Sequence, residues 1–422
     1  MGEKKILAPS RTYIMTLKIK GEEYSNDLSS VRISSSLATG YQIVTLTINV
    51  TPQTILLNKL YGQDQIILNI SLQDHGEFVR ESIDLDLMIV NSEFEIPISE
   101  IMVTDTQRDR TAYELITVVR QPFEIMTTMI NPVMGLNDGP KTVWSGPKTV
   151  KELIETIVSE YTPQAKLEYD EDGVNEDQIL QCCIPPTTLY QSFKYLDDNF
   201  GIYNGTPVVF CQYDNTIQVM NLSSRIKKNF LLHVEQLTTS YKPEDIEVNK
   251  ARKNYFYTSD NLYTNYVGNS KFGVLGKTIK HIVLPSDALS HTITHDLSDI
   301  CEKYGLVSPT KGETAFVNTS AANRTKYYIE NNGLDYSETF AISKIAKEIS
   351  DISRLSFAIE RNLQIEKLLQ IGCVVKLKTK TLEHTEIQGN YILFSSDIVW
   401  RKTTDWITVG KLELIRTNKT TN

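Results

Sequence analysis

Tyr41-Gln42-Ile43-Val44-Thr45-Leu46-Thr47-Ile48-Asn49-Val50 is the stretch on which the reading of this fold turns. Val44, Leu46, Ile48 and Val50 fall on one side of a two-residue period, with Tyr41, Ile43, Thr45 and Thr47 on the other. That period belongs to a strand with one face packed and one face free to meet water or another subunit. Working outward, the pattern recurs in Tyr13, Met15, Leu17 and Ile19, in Ile66, Leu68, Ile70 and Leu72, and in Ile83, Leu85, Leu87 and Ile89. Strands at such short spacing predict a small barrel or sandwich. One helical interruption is expected, from Pro52 to Leu60, with Tyr61-Gly62 ending it.

The texture changes after Gln121. Pro122, Pro132, Gly135, Gly139, Pro140, Gly146 and Pro147 mark a linker or irregular region. An amphipathic helix follows, with Val150, Leu153, Ile154, Ile157, Val158 and Tyr161 on one stripe. A second is expected after Pro185-Pro186-Thr187, carrying Leu189, Phe193, Leu196 and Phe200 and stopping at Gly201. Residues 207–213 and 216–222 then form two strands joined at Asp214-Asn215. The stretch 237–340 is rich in Tyr, Asn, Ser and Thr, and a third helix is expected from Asp335. Strands return at 373–377, 391–400 and 406–415. A faint repeat links residues 56–62 and 366–372, each leading into a strand.

Composition sets the bounds. With 422 residues, 41% apolar and 23% charged, the chain can fill real cores, and its length suits roughly two to four domains. A formal charge of −9 disfavours a surface built to coat nucleic acid. No apolar run reaches the ~18 residues that a membrane-spanning helix requires, and residues 1–6 lack the apolar region of a signal peptide. Five cysteines, two of them adjacent (Cys182, Cys183), do not make a disulfide framework.

Each motif of a kind that carries chemistry has a plainer reading. Gly273-Val274-Leu275-Gly276-Lys277-Thr278 ends like a P-loop, but Lys271 stands where the first glycine is needed, so a surface loop is expected. Glu168, Asp170, Asp172 and Gly173 match the first part of a calcium loop, yet Ile179 occupies the place of the bidentate glutamate. A solvated acidic loop is the expectation. His291 and His295 are four apart, but Thr292 replaces the glutamate of a hydrolytic zinc helix, and the β-branched run favours a strand. Cys182 and Cys183 read as buried residues at a strand end, and Asp197-Asp198 as the polar face of the second helix. The Asn-x-Ser/Thr triplets at Asn49, Asn69 and Asn221 carry no meaning without a secretory signal. No catalytic, metal or cofactor residue is assigned, and no enzyme is expected.

Four segments resemble the central baseplate hub protein of contractile-tailed phages, of the T-even type and its relatives. They are the opening strand block with Leu60-Tyr61-Gly62, the stretch from Ile184 to Phe193, the stretch Val208 to Asn215 entering the hairpin that ends in Met220-Asn221-Leu222, and the C-terminal block closing in residues 406–414. The resemblance implies an α+β, mainly β chain with two small tube-type barrels and a helix-containing domain between them. The barrels would take residues 8–121 and residues 237–264 with 336–416. The middle domain would take 122–236 and continue through about 265–335, leaving 417–422 as a tail. It further implies a homotrimer with pseudo-sixfold symmetry in the virion, made in the host cytoplasm. That trimer would join a hexameric tail tube protein to a trimeric central spike protein, with wedge proteins around it. Genome DNA would pass through its channel without specific binding, and there would be no cofactor and no membrane insertion. Two other classes stay open. A tail-tip peptidoglycan hydrolase would show as turnover lost on substituting His291 or Glu176. A monomeric carbohydrate-binding adhesin would draw on the 21 Tyr and 3 Trp.

Overall fold

The computed structural model describes residues 11–51, 64–74, 78–91, 111–130, 143–226, 228, 232–237, 253–257, 263–265, 278–283, 291–296, 325–330, 353–360, 369–378 and 388–416. The helix expected at 52–60, the one expected from Asp335, and residues 273–277 of the P-loop-like run lie outside them.

The first strands are β1 (Arg11–Ile19), β2 (Glu22–Glu23), β3 (Leu28–Ser36), β4 (Gln42–Val50), β5 (Ile66–Asp74), β6 (Phe78–Asn91) and β7 (Thr111–Val119). They pair antiparallel in the order β3-β4-β7-β6-β5-β1-β2. The alternation in the sequence becomes the two faces of this sheet. Met15, Leu17 and Ile19, Val44 to Val50, Ile66 to Leu72 and Ile83 to Ile89 bury every second side chain, and Tyr13 packs half-buried against them. Each fully buried aliphatic side chain contributes about 1.5–3 kcal/mol, so a one-residue slip that turned them outward would forfeit the core.

Next come α1 (Arg120–Thr127), β8 (Met129–Ile130), β9 (Val143–Lys148), α2 (Val150–Tyr161), β10 (Lys166–Tyr169), β11 (Ile179–Cys183), β12 (Thr187–Thr188), α3 (Leu189–Asn199), β13 (Pro207–Cys211), β14 (Thr216–Asn221) and α4 (Leu222–Arg225). Helix α1 corrects the linker reading. Pro122 lies in its first turn, where the missing N–H has no intrahelical partner to lose, and Pro122, Ile125 and Met126 are buried. Helix α2 has a capping box: the Thr149 hydroxyl accepts from the Glu152 N–H, and the Glu152 carboxylate accepts from the Thr149 N–H at 2.7 Å. Thr188 caps α3, and Gly201, at φ +78°, follows its end. The β13–β14 hairpin turns through Asn215 at φ +67°. Parallel β10 joins it on the β14 side. The helices and this sheet share a second core containing Leu153, Ile157, Phe193, Leu196, Tyr203 and Ile217.

The remaining strands are β15 (Leu232–Leu237), β16 (Lys253–Tyr257), β17 (Tyr263–Asn265), β18 (Thr278–Val283), β19 (His291–Asp296), β20 (Thr325–Glu330), β21 (Ser353–Glu360), β22 (Val374–Lys378), β23 (Gly389–Lys402) and β24 (Trp406–Arg416). Strands β18, β19 and β20 form a sheet of their own. The pairings of the others return on themselves in the order β22-β23-β24-β21-β16-β15-β22. This ring is not separate from the first sheet. Past Leu393, β23 leaves β22 and pairs with β3, from Ser395↔Ser36 to Arg401↔Ser30. Both strand blocks therefore lie in one sheet and share one core, with Trp400 fully buried and edge-on to Tyr13.

Strands β4, β5, β6 and β7 have counterparts in β21, β22, β23 and β24. Neighbours, sense and register agree: Val44 faces Thr117 as Leu355 faces Leu414, and Ile67 faces Asp86 as Lys376 faces Asn390. Both sets carry a bulge at the same rung, Val90 between Ile89 and Asn91, and Phe394 between Leu393 and Ser395. A bulge adds an unpaired residue that must be placed deliberately, so a shared one marks a repeated unit. The two short sequence segments noted above lead into β5 and β22, one counterpart pair.

Candidate structural junction

Asp170 follows β10 and is only 2% exposed. A buried carboxylate must be paired and hydrogen-bonded. Its Oδ2 accepts from the Asn221 N–H at 3.0 Å, and its Oδ1 accepts from Arg225 Nη1 at 2.8 Å and Lys228 Nζ at 2.5 Å. Its own N–H lies 3.2 Å from the Tyr203 hydroxyl, which donates to the Val219 carbonyl at 2.7 Å. Burial pushes the Tyr203 phenol well above its ordinary range, and the Asp170 charge adds to that, so it stays a donor at any ordinary pH.

Arg225 is held by Asp170 on one side and reaches across on the other, donating Nε to the Gly372 carbonyl at 2.6 Å. Two neighbouring carbonyls are read in the same way. Gln212, after β13, donates to the Ile371 carbonyl at 3.1 Å, and Gln42, at the start of β4, donates to the Leu369 carbonyl at 3.4 Å. Residues 369–373 enter β22, so this short turn receives side chains from the first strand block and from the helix-bearing layer. Gly372 sits at φ +81°, and a Cβ there would fall on the sulfur of buried Met220. Only glycine allows both the turn and that close approach. A cavity of about 140 Å³, lined in part by Gln218, Arg225, Lys228 and Gln370, lets water reach one side of the cluster.

A second contact stitches the strand blocks. Arg32 on β3 makes a two-pronged bond to Asp397 on β23, Nε to Oδ1 and Nη2 to Oδ2, both at 2.8 Å, and the Ser34 hydroxyl adds a bond at 2.9 Å. Burial raises the Asp397 carboxyl, but the Arg32 fork and the Ser34 hydroxyl outweigh it and leave it below the usual range.

These arrangements settle several readings from the sequence. The acidic stretch is not solvated throughout: Asp170 is spent on Arg225 and Lys228, and Glu168 pairs with Lys166 and Gln218, while Asp172 is exposed as expected. Asp197 is not on a polar face either. It is 3% exposed, and its Oδ1 accepts from the Ile202 N–H beyond the end of α3. Cys182 is buried in the second core, and burial pushes the thiol of Cys211 up to about 12, which makes it inert. His291 and His295 lie on a strand, β19, as their β-branched neighbours predicted. Glu176 is exposed, and Asn221 is buried with its amide donating to the Asp172 carbonyl. Among the described residues, no three His, Cys, Asp or Glu side chains are grouped to hold a metal ion, and no helix is long and apolar enough to cross a membrane. Arg225, Lys228, Gln42 and Gln212 went unnoticed in the sequence, because nothing local distinguishes them.

No family model matches the chain, and no curated protein matches it. Solved structures do. The tail protein from Neisseria meningitidis MC58 is similar at 12% identity and a TM-score of 0.53, over 96% of this chain and 97% of that one. The fold is that of phage tail proteins. The 43 kDa tail protein of prophage MuSo2 from Shewanella oneidensis agrees, at 11% identity and a TM-score of 0.52, over 97% of this chain and 99% of that one. At such identities the likeness is one of backbone course rather than of shared residues. The tail-protein fold spans both strand blocks and the helix-bearing layer.

Proposed function

We propose that this protein is the structural hub of a phage tail baseplate, a homotrimer in which each chain supplies two related barrels. One barrel comprises residues 8–121 and the other residues 237–264 with 336–416, to which the pairing of β15 (Leu232–Leu237) with β16 and β22 adds residues 232–236; the middle domain comprises the rest of 122–236 and continues through about 265–335. The repeat of β4–β7 in β21–β24, on a tail-protein fold, is the observation that carries this reading. Two like units per chain let three chains present six like faces to a hexameric tail tube while keeping a threefold face for a trimeric spike. Wedge proteins attach around the rim, and DNA leaves through the central channel without specific binding. A net charge of −9 suits a conduit that does not retain DNA. Its work is mechanical, and its place is the virion.

Mass in solution by light scattering tests the reading. A species near three times the 48.0 kDa chain mass is expected. A persistent 48.0 kDa monomer, even with the spike protein added, would overturn it.

A further inference from the structure

The ion cluster at Asp170 has more donors than acceptors. Arg225 gives Nε to the Gly372 carbonyl and Nη1 to Asp170, and among the described residues its Nη2 has no acceptor. The Lys228 ammonium carries three donors and gives one, to the same Asp170 oxygen. One buried carboxylate therefore faces two cations. Of the neighbouring acids, Glu168 is paired with Lys166 and Glu171 with Lys151, and Asp172 is exposed, where water and salt screen it.

The spare donors border one space. Arg225 and Lys228, at and just beyond the end of α4, line the cavity of about 140 Å³ together with Gln218 of β14 and Gln370 of the turn into β22. Gln370 is exposed, and its side chain makes no hydrogen bond among the described residues, so its amide is a further donor at the rim. Ile371 and Val374, both buried, give the cavity an apolar wall. One water needs about 10–15 Å³ of such space, so a tetrahedral oxyanion fits with water beside it. Against an apolar wall a charge is screened less than in bulk water, which strengthens its hydrogen bonds. Arginine and lysine are also the side chains best suited to phosphate, the first through its fork of N–H groups and the second as a point charge.

We propose that this cavity binds a small tetrahedral oxyanion of the phosphate or sulfate class, held by Arg225 Nη2, Lys228 Nζ and the Gln370 amide. The bound anion bridges the end of α4 and the turn at 369–373. It thereby adds a second tie, beside the Arg225–Gly372 bond, between the helix-bearing layer and β22. Asp170 and the anion share the same two cations, so Asp170 competes with the ligand while it holds Arg225 in place. The site is independent of the hub reading, which stands whatever the outcome below.

Titration calorimetry of the full chain with inorganic phosphate, sodium chloride holding the ionic strength constant, tests the site. Saturable binding of one phosphate per chain is expected, with sulfate displacing it far more readily than chloride does. Lys228→Gln and Gln370→Glu alter exposed positions, and circular dichroism checks that both are folded. Lys228→Gln should weaken binding about tenfold or more, the loss of one charge-assisted hydrogen bond, and Gln370→Glu, which puts a negative charge at the rim, should abolish it. Asp170→Asn removes the competitor and should tighten binding. If the unmodified chain shows no saturable binding, or if chloride displaces phosphate as readily as sulfate does, the proposal is overturned. Binding that neither Lys228→Gln nor Gln370→Glu changes marks an adventitious ion only and overturns it as well. Should Asp170→Asn not fold, the two exposed variants decide.

Discussion

Removing Asp170 tests whether the junction holds the helix-bearing layer to the strand blocks. Asp170→Ala strips the counter-charge from Arg225, whose side chain is 15% exposed, and orphans the buried Asn221 N–H. Breaking a buried ion pair by deleting one partner costs about 3–5 kcal/mol. The orphaned donor is part of that cost, and the cavity beside Arg225 lowers it by admitting water. Lys228, with its side chain 47% exposed, returns to solvent and adds about 0–1 kcal/mol. The expected loss is about 3 kcal/mol. Arg225→Ala should cost about 2–3 kcal/mol, since Asp170 keeps Lys228 and Asn221 while the Gly372 carbonyl loses its donor. In the double variant neither charge is left stranded, so its cost should fall short of the sum by about 1.5 kcal/mol or more. Urea unfolding followed by tryptophan fluorescence measures all four proteins. Additivity within about 0.5 kcal/mol would refute the coupling and leave Asp170 as packing only.

Two further predictions concern the turn and the seam. Gly372→Ala should destabilise by more than about 2 kcal/mol, combining left-handed strain with displacement of the buried Met220 sulfur, and an unchanged urea midpoint would dismiss the argument. For Asp397, the lowered carboxyl stabilises the seam above its unfolded value of about 3.9, and that contribution is lost as pH falls through the folded value. Because Arg32 is largely exposed, the pair is worth only about 0.5–1 kcal/mol. Asp397→Asn should therefore weaken the protein at pH 7 by an amount that shrinks as pH falls through the folded value, and a gap unchanged by acid would contradict the assignment.

How far the sequence could be read followed the range of the interactions concerned. The faces of β4, β5 and β6 were legible because alternation is a property of adjacent residues. Helix α2 was legible through its apolar stripe and Thr149–Glu152 box, and the β13–β14 turn through Asp214-Asn215. Helix α1 was hidden by Pro122, whose reading as a breaker holds inside a helix but not in its first turn. Asp170 was misread because neighbouring acids suggest solvent, while its partners Arg225 and Lys228 lie more than fifty positions along the chain. Asp197 was misread for a related reason: its bond to Ile202 depends on how the chain leaves α3.

By itself the sequence determined that this chain is mainly strand, where many of the strands run, and that helices stand between two strand-rich ends, because those features follow from local periodicity, caps and turn residues. Tertiary structure alone decided that the two ends form one sheet through β3 and β23, that a bulge recurs at Val90 and Phe394, and that one turn at 369–373 gathers Gln42, Gln212 and Arg225. Those facts depend on which segments meet, from bulge partners within about thirty positions to the β3–β23 pairs, which lie hundreds of positions apart. A strand's sequence says which face it buries, but not which edge it meets.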